Sequence, residues 1–470
     1  DATEAVQLNI APYDVRQSGF TGAAVNTVTR SGTNEFSGSI YYNVRDQDYV
    51  GRQAGRSTFN PGTFSFDQIG VRLGGPILKD KLFFFVSYET DENEGPGNTF
   101  LPRDNTSQSA TGNVTRVLRS DLDSLSSFLF NRFGYVTGPY EGYPGLTPSN
   151  RLTTRVDFAL SQRNKFSFRY TNLGSETDVL VSTSSSLTNG LIGRTRNQAM
   201  SYANSNYTIL ENIDSYAAEW NSLLTDRLSN QLIVTYTKQD ESRGPISNLF
   251  PFVDILAGDI SAADNSVYMS FGSEPFTPNN ELRYNNLQIQ NNFTRFGNRH
   301  DLTLGIAYER YESENVFYPG SQSGYTYNSL SDFIADANAF STACGTNPAN
   351  WGSCTAPTAS AAGVGPRTFT VRYMNVPGLT KPVQPLEVNT MGFYVQDVWR
   401  VRNNFTVTAG IRADIISFGN TAFENDSVAN MNFFDENGDT VQYRTGALPP
   451  STPLLSPRVG FNYDLRGNSQ

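Results

Sequence analysis

"GAAVNTVTRSGTNEFSGSIYYNVRD", residues 22–46, changes character in its middle. Up to Gly32 it reads as a short buried strand, Ala24 to Thr29, closing on a Ser-Gly turn. After Asn34 the pattern has period 2: Phe36, Gly38, Ile40, Tyr42 and Val44 alternate with Ser37, Ser39, Tyr41, Asn43 and Arg45. Such a strand has one apolar and one polar face, and so stands between two media.

The pattern recurs to the end of the chain. Ile69, Val71 and Leu73 oppose Gln68, Gly70 and Arg72, and Leu82, Phe84, Val86 and Tyr88 follow a turn at Ile77 to Lys81. Val156 and Phe158 sit beside Arg155 and Asp157, and Phe166, Phe168 and Tyr170 beside Ser167, Arg169 and Thr171. Charges interleaved with such side chains are housed only where the two faces meet different solvents. Further strands carry Trp220, Val234, Ile289, Ile306, Val407 and Phe461 on the apolar side. In one of them Met391, Phe393 and Val395 compete with Tyr394 and Val398 for that face. About twelve strands result, joined alternately by tight turns near 79, 163, 227, 297, 402 and 467 and by long connections. A soluble sandwich has no reason to gather every long loop at one end, whereas an outer-membrane barrel does. The expected fold is all-β, a transmembrane antiparallel β-barrel, with a secreted multi-sheet β protein as the alternative.

Composition agrees. The 470 residues hold 39 Gly, 13% aromatic residues and no run of 18 apolar residues, which excludes a transmembrane helix and leaves a barrel open. A net charge of −10 argues against a nucleic-acid partner. Lysine occurs only at 79, 81, 165, 238 and 381, so arginine carries most of the positive charge and suits ion-pair networks in a confined polar interior.

Cys344 and Cys354 lie in a Gly/Ala/Pro/Thr-rich stretch with no histidine nearby. A local disulfide is expected, worth about 2–3 kcal/mol and implying an oxidising compartment; two free thiols are the alternative. His300 is the single histidine and sits at a tight turn, and no G-x-S-x-G elbow has a partner histidine, so no enzyme is expected. "DENGD" places Asp435, Asn437 and Asp439 around a glycine, a weak candidate for a structural Ca²⁺ against an ordinary acidic turn; no other cofactor is expected. One helical patch, Asp121 to Phe133, has Leu122, Leu125, Phe128 and Leu129 at helical spacing and is expected to pack on its own loop. The chain begins without Met, signal peptide or charged leader and reads as mature or truncated.

"GAAVNTVTRSGTNEFSGS" resembles the plug–barrel junction of TonB-dependent outer-membrane transporters. "LGGPILKDKLFFFVSYE" (73–89), "YVQDVWRVRNNFTVTAGIRAD" (394–414) and "LLSPRVGFNYD" (454–464) are similar to the Oar-like branch of that family. The resemblance implies that residues 1–33 are the C-terminal end of a plug domain. Residues 34–470 would then be the first part of a barrel of about 22 strands. It implies an integral outer-membrane location in a Gram-negative bacterium, contact with outer-membrane lipid and lipopolysaccharide, and coupling to TonB–ExbB–ExbD through an N-terminal segment absent from this sequence.

The implied function is binding an extracellular ligand, a peptide, protein or other large solute, and importing it. A structural or assembly component that docks a surface protein partner is the alternative, and a passive porin the third reading. Ligand-binding candidates facing the lumen are Tyr41, Asn43, Arg45, Arg72, Glu89 and Arg155; Tyr325, Tyr327 and Trp351 are the loop candidates. Asp157, Glu219 and Asp414 are expected to meet Arg72, Arg155, Arg169 and Arg412 in wall networks. Arg30 is expected to pair with a wall carboxylate and hold the plug in place, with a satisfied surface arginine as the equal alternative.

Overall fold

The computed structural model describes all residues except 1, 11, 21, 59–61, 185–193, 195–196, 258–265, 346, 348, 350–352, 355–363, 376–377, 420, 422 and 466–470. Two short strands come first, β1 (Thr3–Ile10) and β2 (Ala23–Thr29), paired as an antiparallel ribbon. Twelve wall strands follow. They are β3 (Ser37–Asp46), β4 (Ser65–Leu78), β5 (Leu82–Pro96), β6 (Pro144–Ser161), β7 (Asn164–Val179) and β8 (Tyr207–Thr225), then β9 (Leu228–Asp240), β10 (Glu281–Phe296), β11 (His300–Val316), β12 (Val383–Arg402), β13 (Phe405–Phe418) and β14 (Leu454–Tyr463).

Each wall strand pairs with the next in sequence, which makes one antiparallel meander from β3 to β14. The end strands do not pair with each other among the described residues, so this wall is an open sheet. Register keeps like faces together. Val156, Phe168, Ala218, Val234, Ile289, Tyr308 and Met391 form an unbroken row from β6 to β12. Slipping a strand by one residue would put the side chains of its other face into that row, Arg155 or Asp157 in β6 and Glu219 or Ala217 in β8 among them. The apolar face is bare: Ile40 is 75% exposed and Phe461 77%. The uncertain phase in β12 resolves with Met391 and Phe393 on this face and Tyr394 buried on the other.

The tight turns share a device. Register shifts mark the end of four hairpins, between Pro76 and Leu78, Ala159 and Ser161, Leu223 and Thr225, and Arg400 and Arg402. One extra residue there bends the strand into its turn. In the β4–β5 turn Asp80 adopts φ 62°, supported by reciprocal bonds with Asn34 of 2.6 and 2.8 Å. Toward the long-loop end of the apolar face runs a belt of tyrosines. Tyr88, Tyr170, Tyr236 and Tyr308 donate to Asn150, Asp214, Asn285 and Asn389 at 2.6–3.3 Å, and Tyr42 donates to Asp67. An apolar ring with its hydroxyl tied to the polar side suits a hydrocarbon–water boundary.

Among the described residues, a packed hydrophobic core forms at the loop end. Three long connections contribute short strands Met200–Ser201, Val267–Phe271, Phe252–Leu256, Gly324–Tyr327 and Thr368–Thr370, which form one sheet in that order. Helices α1 (Arg119–Phe133) and α2 (Leu330–Cys344) pack on it. Leu122, Leu125 and Leu129 of α1 share a core with Met200, Val253, Met269, Phe271 and Phe333. The helical stripe therefore packs on three other loops as well as its own.

The strand at 23–29 is present but mostly exposed rather than buried. A two-stranded ribbon has no second layer, and Val6, Leu8, Val25 and Val28 stay open.

Candidate functional site

Alternation along each strand gives the inner face Tyr41, Asn43 and Arg45 of β3, Arg72 of β4, Glu89 of β5 and Arg155 of β6. The structure ties each of them to a neighbouring group. Tyr41 donates to Glu89 at 2.6 Å, lying over Gly70, where a Cβ would be 2.3 Å from its ring. Asn43 donates to Gln68 at 3.0 Å, Arg72 to Ser39 at 2.8 Å, and the Arg45 guanidinium lies 5.5 Å from the Phe64 ring. Of the expected ion pairs, Arg155–Asp157 and Arg412–Asp414 form, each at 2.8 Å. Glu219 instead accepts from the amides of Asn221 and Gln231, and Arg169 donates to Thr29 Oγ1. The pattern of charges was readable; amide side chains as the partners of Glu219 were not.

The N-terminal segment lies against this face. Arg155 Nη1 donates to the Thr29 carbonyl at 2.6 Å, and Arg169 Nη1 to the Thr29 hydroxyl at 2.9 Å. Arg30 does not pair with a wall carboxylate: its buried Nε has no hydrogen-bond partner, and its backbone N–H bonds to Ala2. The wall supplies the cations and the segment the oxygens, the reverse of the expected arrangement. Further along, Val15 is fully buried, its N–H donating to Gln396 and its carbonyl accepting from Arg412. Sequence reasoning missed this contact, although Arg412 and Arg458 already stood on the polar face. Below the segment, toward the tight turns, a cavity of about 560 Å³ is lined by Arg16, Lys165, Asn221, Asn230, Gln231 and Gln396. A hollow of similar volume on the other side, lined by Phe293, Leu304, Ile306 and Phe393, belongs to the apolar face.

Tyr327 is a core residue of the loop cap, not an open gripping ring: it is buried and donates to Asp336 at 2.7 Å. Burial, then the Asp336 carboxylate, pushes its phenol well above the usual range. Tyr325 is half-buried against Phe369, ring centroids 4.9 Å apart, and Trp351 lies outside the described residues. The cap also encloses the Arg194–Asp254 pair, both about 1% exposed, with Ser270 donating to Asp254 at 2.6 Å. Nearby Glu274 is buried. Burial raises its carboxyl above the ordinary range, and N–H bonds from Phe276 and Thr277 with the charge of Arg194 offset this only in part. Cys344 and Cys354 are joined by a disulfide that ties the end of α2 to the following loop. In the acidic turn Asp435 Oδ1 accepts from the N–H groups of Asn437 and Asp439 at 2.9 Å. Among the described residues no three His, Cys, Asp or Glu side chains group as metal ligands. His300 is exposed, 2.7 Å from Asp397 and stacked on Trp399.

A family model described as an outer membrane beta barrel domain matches residues 28–469. The chain belongs to this outer-membrane β-barrel family. The bare apolar face is thus the lipid face of an integral outer-membrane protein, and the polar face lines the lumen. The TonB-dependent transporter Oar of Myxococcus xanthus is 41% identical over an alignment of 76 residues that covers 14% of this chain and 7% of that protein. The outer membrane transporter YddB of Escherichia coli is similar in structure, with TM-score 0.57 at 11% identity, covering 99% of this chain and 46% of that one. The ferric citrate transporter FecA matches with TM-score 0.51 at 11% identity, covering 99% of this chain and 48% of that one. The chain spans under half the length of these solved structures and a small fraction of the curated relative. All three relatives are transporters, and none is named as an enzyme.

Proposed function

We propose that the chain is the plug end, residues 1–33, and the first part of the barrel, residues 34–470, of a TonB-dependent outer-membrane receptor. In this reading further strands complete a barrel of about 22. The loop cap admits an extracellular ligand of peptide or protein class, the N-terminal segment blocks the lumen, and TonB–ExbB–ExbD draws it aside so that the ligand crosses. The observation that carries the reading is the seating of residues 12–16 and 29 against lumen-facing arginines, with the polar cavity directly below. A segment held by hydrogen bonds to polar groups that water solvates once it withdraws is released at lower cost than one packed in an apolar core. Ligand captured from growth medium and identified by mass spectrometry, with uptake compared in cells with and without TonB, tests it. Uptake that is lost without TonB supports transport, and undiminished uptake overturns it.

The docking-platform reading draws on one observation, the exposure of Phe369, Val371 and Tyr373 along the margin of the cap sheet. It predicts a protein partner retained on the cap and no TonB-dependent uptake.

A further inference from the structure

The wall holds residues 12–16 through their main chain. Arg458 Nη1 donates to the carbonyls of Asp14 (2.6 Å) and Pro12 (3.5 Å), and Arg412 Nη1 to that of Val15 (3.2 Å). Gln290 Nε2 donates to the Arg16 carbonyl at 2.9 Å, and Gln396 Oε1 accepts from the Val15 N–H at 3.1 Å. The charged side chains of the segment hydrogen-bond to each other, Arg16 to Asp14, while the wall's hydrogen bonds go to the main chain. Side chains are read only by shape. Val15 fits over Gly410, where a Cβ would come within 2.6 Å of it, and the Tyr13 ring rests on Gly460 at 3.4 Å from a Cβ position there. Main-chain bonds for affinity and alternate pockets for side chains are the elements of peptide recognition.

We propose that Gln290, Gln396, Arg412, Arg458 and the pocket floored by Gly410 form a peptide-binding site in the lumen wall, which residues 12–16 occupy as an internal competitor. Withdrawal of the segment opens the site to the carbonyls of another peptide, whose residue at the Val15 position fills the same pocket. The site deepens the transport reading and rests on it for its role in passage, but its existence is tested separately. Arg412 keeps its own counter-charge on Asp414, so an incoming peptide needs no acidic side chain. Three donor side chains making four bonds to carbonyls exceed what a single turn requires, and together with the Gly410 floor they constitute a site shaped for backbone.

The test uses the full-length receptor in lipid nanodiscs and a fluorescent peptide of residues 12–18, Pro-Tyr-Asp-Val-Arg-Gln-Ser. Val15→Lys in the receptor places a cation beside Arg412 and Arg458 and expels the internal segment. Anisotropy titration is expected to show this variant binding the peptide at least about tenfold more tightly than the native receptor, because the competing occupant is gone. Adding Arg412→Ala and Arg458→Ala removes that binding, and so does a peptide carrying lysine in place of its valine. Equal affinity in native and Val15→Lys receptors, or binding indifferent to both arginines, overturns the proposal. A readout on the native protein guards against misfolded variants: millimolar peptide accelerates hydrogen exchange at the Val15 amide, and unchanged exchange at saturating peptide overturns it. Peptide binding without TonB-dependent uptake supports the site and overturns the transport reading; TonB-dependent uptake without peptide binding does the reverse.

Discussion

Arg155, on the lumen face of the fourth wall strand, donates to the carbonyl oxygen of Thr29 at 2.6 Å while pairing with Asp157 on its own strand. One side chain thus joins the wall's charge network to the last residue of the N-terminal ribbon. Arg169, opposite Arg155 in the register with the next strand, holds the Thr29 hydroxyl as well.

Removing both cations frees that end of the ribbon. A hydrogen bond to a charged group contributes about 1.5–3 kcal/mol. Arg155→Ala with Arg169→Ala is therefore expected to speed hydrogen exchange at Thr29 and Arg30 by at least about tenfold, with exchange in the wall strands unchanged. Mass-spectrometric exchange on the full-length protein checks this, and slow exchange at Thr29 in the double variant would remove these residues from the anchor.

The cap behaves as one packed body because four loops share its core. Leu125→Ala in α1 leaves a cavity costing about 2–5 kcal/mol. Limited proteolysis is expected to cleave the variant in the 241–284 and 315–386 loops as well as in its own, while the wall remains resistant. Cleavage confined to residues 91–150 would show that the loops fold separately.

Glu274 gives the cap a pH dependence of definite sign. Its folded carboxyl titrates above the ordinary value because of burial. Its stabilising effect is thus fully present below about pH 4 and is lost as pH rises through the raised value. Glu274→Gln is expected to stabilise the cap at neutral pH and to flatten this decline. Unfolding of the cap followed by tryptic susceptibility from pH 4 to 8 measures it; identical profiles for both proteins would contradict the assignment.

Reduction of Cys344–Cys354 releases the end of α2. Closing so short a loop stabilises by about 2–3 kcal/mol. Cys344→Ser with Cys354→Ser should lower the cap's thermal midpoint and open the 345–354 segment to protease, with wall strands unaffected. Native resistance in the double variant would show that core packing alone fixes the helix.

The wall was legible and the cap was not, for different physical reasons. Two solvents impose period 2 on every strand, so Phe168 beside Arg169 discloses both faces locally. The strand at 388–398 resisted because aromatic residues stand on both sides of it. Its phase is set by a neighbour: Gly305 lies opposite Tyr394, and a Cβ there would come within 2.1 Å of the ring, so only glycine admits Tyr394 to the lumen face over Arg412. The cap depends on contacts between loops far apart in sequence, and Tyr327 cannot declare that its partners are Asp336 and Phe333. The short apolar runs Phe252–Leu256 and Val267–Phe271 were the available signal for a core there. Arg30 was misplaced for a related reason, since a cation in the ribbon says nothing of the cations already waiting on the wall.

The central claim is that hydrocarbon meets one face of each wall strand and water the other. Single cysteines at Phe168 and Ile306, and at their neighbours Ser167 and Ala307, carry a fluorophore in the full-length protein reconstituted with brominated lipid. Strong lipid quenching at 168 and 306, with iodide quenching from water at 167 and 307, is the predicted result. Lipid quenching at 167 and 307, or no difference between neighbours, would contradict the account.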